Sequence, residues 1–190
     1  MVVGDSGGED YAVANLGWRV LSYVGSHCVA GTRSLLDCRR AVCLTFWDTS
    51  GRDDHNAQRP LSYPGTDFFL VCFSVTDRQS FERVRTAWYP EIQRHNPDTL
   101  FLLVGTKADG NGDPILSETT LERGERAVTW SEGKEMAREL GAVDYHECSS
   151  QSERDFEVIP RLIVNTFHPA PAEQKRHKNR IKDLFSFLQQ

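Results

Sequence analysis

Three short loops carry side chains that could take part in chemistry, and each follows a run of apolar residues. They are Asp48-Thr-Ser-Gly51, Gly105-Thr-Lys-Ala-Asp109 and Glu147-Cys-Ser-Ser150. Carboxylates, an ammonium group and hydroxyls can all form hydrogen bonds with a charged small molecule. These loops are therefore the first candidates for a ligand site.

The apolar runs are predicted to be buried β-strands. They are almost uninterrupted over 42–47, 68–73 and 100–104, which suits strands covered on both faces of a parallel sheet. Helices are predicted from about 80 to 92, from about 131 to a stop at Gly141, and from about 154 to 167. Ser80 is the candidate N-cap of the first.

The alternation of strands and helices predicts an α/β doubly wound domain. In such a sheet the ligand lies at the carboxyl ends of the strands. The three loops are therefore expected to share one edge.

Size and charge exclude several classes of protein. The chain has 190 residues and a net charge of −5, which suits one domain and disfavours general nucleic-acid binding. No apolar run approaches the length of a membrane span, and we expect no secretory signal. Five scattered cysteines favour free thiols in a reducing cytosol.

In this order the loops resemble the motifs of a Rho/Rac-family small GTPase of the Ras superfamily. The stretches Arg59–Pro64 and Trp88–Glu91 resemble Rho proteins specifically, and 110–130 lies where Rho proteins carry an extra helix. The resemblance covers about residues 1–168. It implies a G domain with the P-loop NTPase fold, in which helices flank a mostly parallel six-stranded sheet.

The resemblance implies that Thr106, Lys107 and Asp109 bind guanine, together with Ser149 and Ser150. Asp109 would accept hydrogen bonds from the guanine N1–H and 2-amino group, which adenine lacks. The stem of Lys107 would cover the base, and the backbone near Ser150 would donate to O6. The alternative is that Lys107 and Asp109 are solvated loop charges.

The phosphate loop departs from the family pattern G-x-x-x-x-G-K-[S/T]. The aligned residues are Gly4, Asp5, Ser6, Gly7, Gly8, Glu9, Asp10 and Tyr11. Asp10 replaces the lysine, and one unit-charge contact is worth ~4 kcal/mol at ~4 Å and a dielectric of ~20. Weak binding of GTP or GDP with Mg²⁺, or none, is expected. The alternative is that Asp10 itself holds Mg²⁺.

The resemblance implies that Ser26 and Asp48 are weak Mg²⁺ ligands. Tyr23-Val-Gly-Ser26 aligns with switch I. After Gly51, Arg52 replaces the glutamine that positions the attacking water. Arginine cannot accept a hydrogen bond, so slow or absent hydrolysis is expected. Arg52 either neutralises a phosphate or is an exposed charge.

Two further changes concern the base and the effectors. Trp18 either replaces the aromatic residue that in the family stacks at the edge of the base, or it is a tryptophan packed in the core or on the surface. Residues 28–31 lack the family's effector-binding side chains, so ordinary Rho effectors are not expected. Protein partners are expected instead at switch II, around Arg59–Pro64, and at the insert 110–130.

Residues 169–190 form a basic, amphipathic tail. Lysines and arginines over 174–182 precede four apolar residues, Leu184, Phe185, Phe187 and Leu188. Because no cysteine follows Cys148, we expect no prenyl anchor. We expect the tail to pack on its own domain or on a partner; the alternative is peripheral contact with an anionic membrane.

Together these features predict a degenerate Rho-family signalling protein of the cytoplasm. It would be a pseudo-GTPase or a weak guanine-nucleotide binder that acts through protein partners. The alternative is an active, GTP-hydrolysing switch with altered phosphate-loop chemistry. Residues 9–11 distinguish the two.

Overall fold

The computed structural model describes residues 1–4, 19–23, 28–37, 40–52, 57–109, 126–149 and 155–168. For 19–23, 28–37, 40–41 and 155–157 it describes the backbone alone. The expected extent of the G domain, residues 1–168, stays a prediction, and the tail 169–190 lies outside the described residues.

The described strands form one twisted layer, in the order β2-β3-β4-β1-β5-β6-β7. Five of them, β1, β4, β5, β6 and β7, pair in parallel, whereas β2 and β3 pair antiparallel at one side. The strands are β1 (Val2–Gly4), β2 (Arg19–Tyr23), β3 (Cys28–Asp37), β4 (Arg40–Thr49), β5 (Phe68–Ser74), β6 (Leu100–Thr106) and β7 (Tyr145–Glu147). The predicted α/β fold with a mostly parallel sheet is confirmed.

The number of strands corrects the prediction, because the described residues contain seven rather than six. The extra strand is β2, which pairs with β3 from Arg19↔Thr32 to Tyr23↔Val29. Tyr23, aligned above with the start of switch I, is instead the last residue of this edge strand. A connection of only four residues, 24–27, keeps the two segments close enough to pair as a hairpin.

Helices cover both faces of the sheet. Between β5 and β6 the chain forms α1 (Arg78–Arg83), a π-helical segment (Val84–Trp88) and α2 (Tyr89–His95). Two longer helices follow, α3 (Trp130–Leu140) and α4 (Asp155–Phe167). A short 3₁₀ helix, Arg59–Ser62, precedes β5.

The start of α1 also corrects the sequence reading. Asp77, rather than Ser80, is the N-cap, and its carboxylate accepts the N–H groups of Gln79 and Ser80. Ser80 lies inside the helix, where its buried hydroxyl donates to the carbonyls of Ser74 and Asp77. The helix therefore starts earlier because the end of β5 holds Ser80 in place.

The core has two layers because alternate residues of a strand face opposite sides. On one face Phe69, Val71 and Phe73 pack against Trp88 and neighbouring helical residues. The opposite face is formed by a second buried set, Val2, Phe46, Phe68, Leu70, Cys72, Leu102, Val104, Cys148, Ile159 and Ile163. Strands β5 and β6 are therefore covered on both sides, as predicted.

Two apolar segments are covered less than expected. In β4 the side chains of Cys43 and Thr45 are exposed, because this part of the hairpin pairs with β3 away from the parallel centre of the sheet. Phe167, at the end of α4, is 44 % exposed although its ring contacts that of Phe68.

The insert is shorter than predicted at its far end. Residues 110–125 lie outside the described residues, but Val128 is buried and its N–H donates to the carbonyl of Val75 at 2.8 Å. Trp130 then begins α3. The apolar Val128 therefore belongs to the core rather than to an exposed insertion.

Helix α3 begins at an ionic cap that also joins it to α1. The Glu132 carboxylate accepts the N–H of Thr129 at 2.9 Å and the Arg78 guanidinium at 2.7 Å. These hydrogen bonds, that from Arg78 above all, lower the pKa of Glu132 to about 2. At the other end Gly141 takes a left-handed conformation with φ of 76°, so the predicted stop is confirmed.

Within the described ranges, no helix is long and apolar enough to cross a membrane.

We expect Gly4→Ala to destabilise the fold strongly. Gly4 has φ of +147°, and a Cβ there would lie 1.9 Å from the carbonyl oxygen of Cys72. Strain and overlap together should cost about 3 kcal/mol or more in the free energy of unfolding, measured by urea denaturation. Gly65→Ala is the control: its φ is +78° but no atom lies within 4 Å, so a loss of about 1–2 kcal/mol is expected. Equal losses would contradict the role of the Cys72 contact.

Glu132 should also make stability depend on acid. Its pKa is lowered on folding from an ordinary value of 4.5 to about 2, so its contribution is complete above pH 4.5 and is lost as the pH falls towards 2. Urea midpoints of the wild type and Glu132→Gln should therefore converge over this range. A gap that stays constant down to pH 2 would show that the carboxylate charge is not what stabilises the cap.

Candidate functional site

The loops singled out in the sequence meet at one edge of the sheet. Strands β1, β4, β5, β6 and β7 run in parallel, so their carboxyl ends lie together. The described parts of the loops, 50–52, 107–109 and 148–149, follow three of these strands. The expected common edge is confirmed.

The second and third loops are held as one unit by backbone hydrogen bonds. The N–H of Cys148 donates to the carbonyl of Gly105 at 2.8 Å, and the N–H of Ala108 donates to that of Cys148 at 3.2 Å. Lys107 adopts φ of 59°, an uncommon conformation for a residue with a side chain. Lys107 and Asp109 are both exposed, so the bonded loops present an ammonium group and a carboxylate to solvent.

Buried neighbours support these loops from beneath. The Thr106 hydroxyl donates to the carbonyl of Phe73 at 3.0 Å and is buried. A Cβ at Gly105 would lie 2.5 Å from the hydroxyl of Tyr145, which itself donates to Glu147 at 2.9 Å. Thr106 thus stabilises the loop through its side chain, while its role towards a nucleotide stays a prediction.

Burial raises the pKa of Tyr145, and the hydrogen bond to Glu147 raises it further. Tyr145 therefore remains a neutral donor within β7, and its hydroxyl packs next to Gly105 of β6. Cys148 and Ser149, which follow β7, are also buried. Ser150 lies outside the described residues.

The phosphate side of the edge is described in part. Asp48 is half-buried in β4, where its backbone lies between Val2 and Val29. Arg52 is exposed, and its N–H donates to the Ser50 hydroxyl at 3.4 Å. Outside the described residues lie Asp5, Ser6, Gly7, Gly8, Asp10, Tyr11, Trp18 and Ser26.

The described residues fit the two halves of a nucleotide site unequally. Lys107 and Asp109 lie exposed on the bonded loops, and their role towards a guanine base stays a prediction. For Mg²⁺, which prefers oxygen ligands, the described part of the chain offers Asp48. It contains no group of three or more His, Cys, Asp or Glu residues that could hold a metal ion.

A buried arginine joins this edge to the helical layer. The Arg59 guanidinium donates to both Glu91 oxygens, at 2.9 and 2.8 Å, and to the carbonyl of Ser50 at 2.9 Å. It also lies 4.4 Å from the centre of the Trp88 ring, a cation–π distance. The hydroxyl of Tyr63 donates to the same carboxylate.

Charge and burial are balanced within this cluster. Burial alone would raise the pKa of Glu91, but the hydrogen bonds from Arg59 and Tyr63 outweigh it, so the pKa is lowered. For Arg59 the directions are reversed: burial alone would lower the pKa, but the hydrogen bond and charge of Glu91 outweigh it, so the pKa is raised. Both groups stay charged because each provides the other with an opposite charge and hydrogen bonds in place of water.

The cluster holds the loop Asp48–Gly51, because Arg59 donates a hydrogen bond to the carbonyl of Ser50 in that loop. Sequence reasoning found the segments 59–64 and 88–91 but not the ion pair that joins them. A signal was present, since an arginine within an apolar segment is rarely buried without a carboxylate partner. The partner lies 32 residues away, so its identity could not be read locally.

A model of the Ras family matches residues 29–168. The chain belongs to the Ras family. The matched range includes all three loops and the Arg59 cluster, and it begins beyond the phosphate loop at 4–11. Ras-family domains generally bind GTP or GDP with Mg²⁺ and signal through protein effectors, so the match supports a small GTPase-like protein in general terms.

Arg59→Met should lower the free energy of unfolding by about 3–5 kcal/mol, because it leaves the half-buried Glu91 carboxylate without its cation. Arg85→Ala is the matched control, since it removes an ion pair with Glu139 whose side chains are 50 % and 45 % exposed. That loss should stay below about 1 kcal/mol. Urea denaturation followed by tryptophan fluorescence measures both, and similar losses would refute the role assigned to Arg59.

Proposed function

We propose that this Ras-family protein is a Rho-type pseudo-GTPase or weak guanine-nucleotide binder that acts through protein partners in the cytoplasm. The proposal rests on a contrast along one sheet edge. The loops that would read the base are assembled, whereas the residues that would hold the phosphates carry negative charge.

The base side supports a preference for guanine. Asp109 can accept two hydrogen bonds from guanine and finds neither donor on adenine, which leaves the carboxylate unpaired. The link between the loops at Ala108 and Cys148 restricts where Asp109 can lie. Such a prearranged loop loses little conformational freedom when it binds.

The phosphate side supports weak affinity. Nanomolar binding corresponds to about 12 kcal/mol, and a single contact between unit charges at ~4 Å is worth ~4 kcal/mol at a dielectric of ~20. Asp10 in place of lysine therefore removes a large share of the usual attraction and adds repulsion. Glu9 adds a second negative charge, so nucleotide and Mg²⁺ should both be held weakly.

The switch segments support a limited response to nucleotide. Residues 19–23 and 28–31 are paired in the antiparallel ladder of β2 and β3. These backbone hydrogen bonds hold the two strands, whereas Ser26, aligned with the Mg²⁺-binding residue of switch I, lies outside the described residues. Arg52, which cannot position an attacking water, is consistent with slow or absent hydrolysis.

The proposed partners are proteins that contact switch II and the insert. The Arg59 cluster holds the switch II segment against α2, and Leu61 is 78 % exposed on its surface. The segments 59–64 and 88–91, which suggested Rho proteins, meet in this cluster. That meeting supports assignment to the Rho branch within the Ras family.

Calorimetry with GDP, GTP and ADP tests the nucleotide half of the proposal. The wild type should bind guanine nucleotides with micromolar or weaker affinity, with little effect of Mg²⁺. Restoring the family residues together, as Glu9→Gly, Asp10→Lys and Tyr11→Thr, should strengthen guanine-nucleotide binding by several kcal/mol, since it removes one negative charge next to the phosphates and reverses another. ADP should remain much the weaker ligand, because adenine offers Asp109 neither of the two donors of guanine.

Asp109→Asn in the restored background is the control, because it keeps the shape of the side chain and removes the charge that accepts both guanine donors. It should abolish the gain. Nanomolar GTP binding with turnover by the wild type would instead identify an active GTPase. A restored variant that binds no nucleotide would contradict an assembled base site.

A further inference from the structure

A large groove lies at the edge of the domain opposite the nucleotide loops. It encloses about 850 Å³ between β4, the segment 61–67 and the end of α4. Met1 and Phe68, which precede and begin parallel strands, lie in its wall, so it opens at the amino-terminal edge of the sheet. Its apolar lining includes Val42, Leu44, Phe46, Ile163 and Phe167.

The groove leaves large apolar side chains in contact with water. Leu61 is 78 % exposed and Phe167 is 44 % exposed. Cys43, also exposed, lies in the wall as a free thiol. An exposed surface with several large apolar side chains often binds another apolar segment.

We propose that the groove is the docking site of the chain's own carboxyl-terminal tail, which inserts Leu184, Phe185, Phe187 and Leu188. The tail starts at the groove itself, because His168, the residue directly before it, lines the wall. Residues 169–183 can span up to ~50 Å when extended, which is enough to reach any part of the groove.

Covalent attachment favours the tail over a separate molecule as the occupant of the groove. A segment tethered next to its site has an effective concentration in the millimolar range, so even weak apolar contacts keep it bound. The lysines and arginines of 174–182 can remain in water, and Asp67 in the wall offers one carboxylate for them. The amphipathic pattern of the tail is thereby explained without a membrane.

Docking of the tail has a consequence for protein partners. The groove shares Leu61 and Pro64 with the switch II segment, so the tail and a partner that binds this segment would compete. The nucleotide loops lie at the opposite edge and stay accessible. Docking of the tail does not require a bound nucleotide, so it is expected whether the protein binds guanine nucleotides weakly or tightly.

The reactivity of Cys43 tests the proposal in the full chain. Cys28→Ser and Cys38→Ser are introduced first, so that Cys43 is the labelled thiol, since Cys72 and Cys148 are buried. Four serine substitutions at Leu184, Phe185, Phe187 and Leu188 should raise the maleimide labelling rate at least tenfold. Serine substitutions at Asn179, Gln189 and Gln190 are the matched control and should not change it.

Each outcome supports or overturns the proposal. Equal labelling rates for the two variants, with unchanged circular dichroism, would overturn it. Protection that grows with protein concentration would show that a second copy occupies the groove. Protection that requires phosphatidylserine vesicles would show that lipid covers it. Restored protection of the four-serine variant by added peptide 169–190 would support it independently.

Discussion

The Arg59 guanidinium is the contact that connects the sheet edge, switch II and the helical layer. It donates hydrogen bonds to Glu91 and to the carbonyl of Ser50, and it lies over the ring of Trp88. A fully charged group is stable in this position only because several partners replace water at once. The loop after β4 is therefore held in position by the hydrogen bond from Arg59 to Ser50.

The same principle, a backbone position fixed from within the protein, operates at the base side. Cys148 and Ala108 hold the two loops together, while Thr106 and Tyr145 support them from the core. The described loops at 50–52, 107–109 and 148–149 are thus positioned by contacts within the protein.

The opposite edge of the sheet adds a second interaction surface. The groove beside Leu61 and Phe167 is separated from the nucleotide loops by the length of the parallel strands. It touches switch II on its outer side, whereas the Arg59 cluster holds the same segment on its inner side. Regulation through the tail would therefore act on partner binding and leave the base loops unaffected.

Local patterns in the sequence were sufficient for the parts of this protein that depend on local physics. The strands β5 and β6 and the stop of α3 at Gly141 follow from apolar runs buried on both faces and from the left-handed conformation of glycine. The charge reversal at Asp10 is likewise visible without a structure. Other features depended on distant partners. Strand β2 forms because it can pair with β3. Asp77 caps α1 because the end of β5 holds Ser80 within the helix. Arg59 forms its ion pair with Glu91, which lies 32 residues away in the sequence. Only the tertiary fold decides such pairings, since each residue is compatible with many partners until the sheet brings one of them within hydrogen-bonding distance.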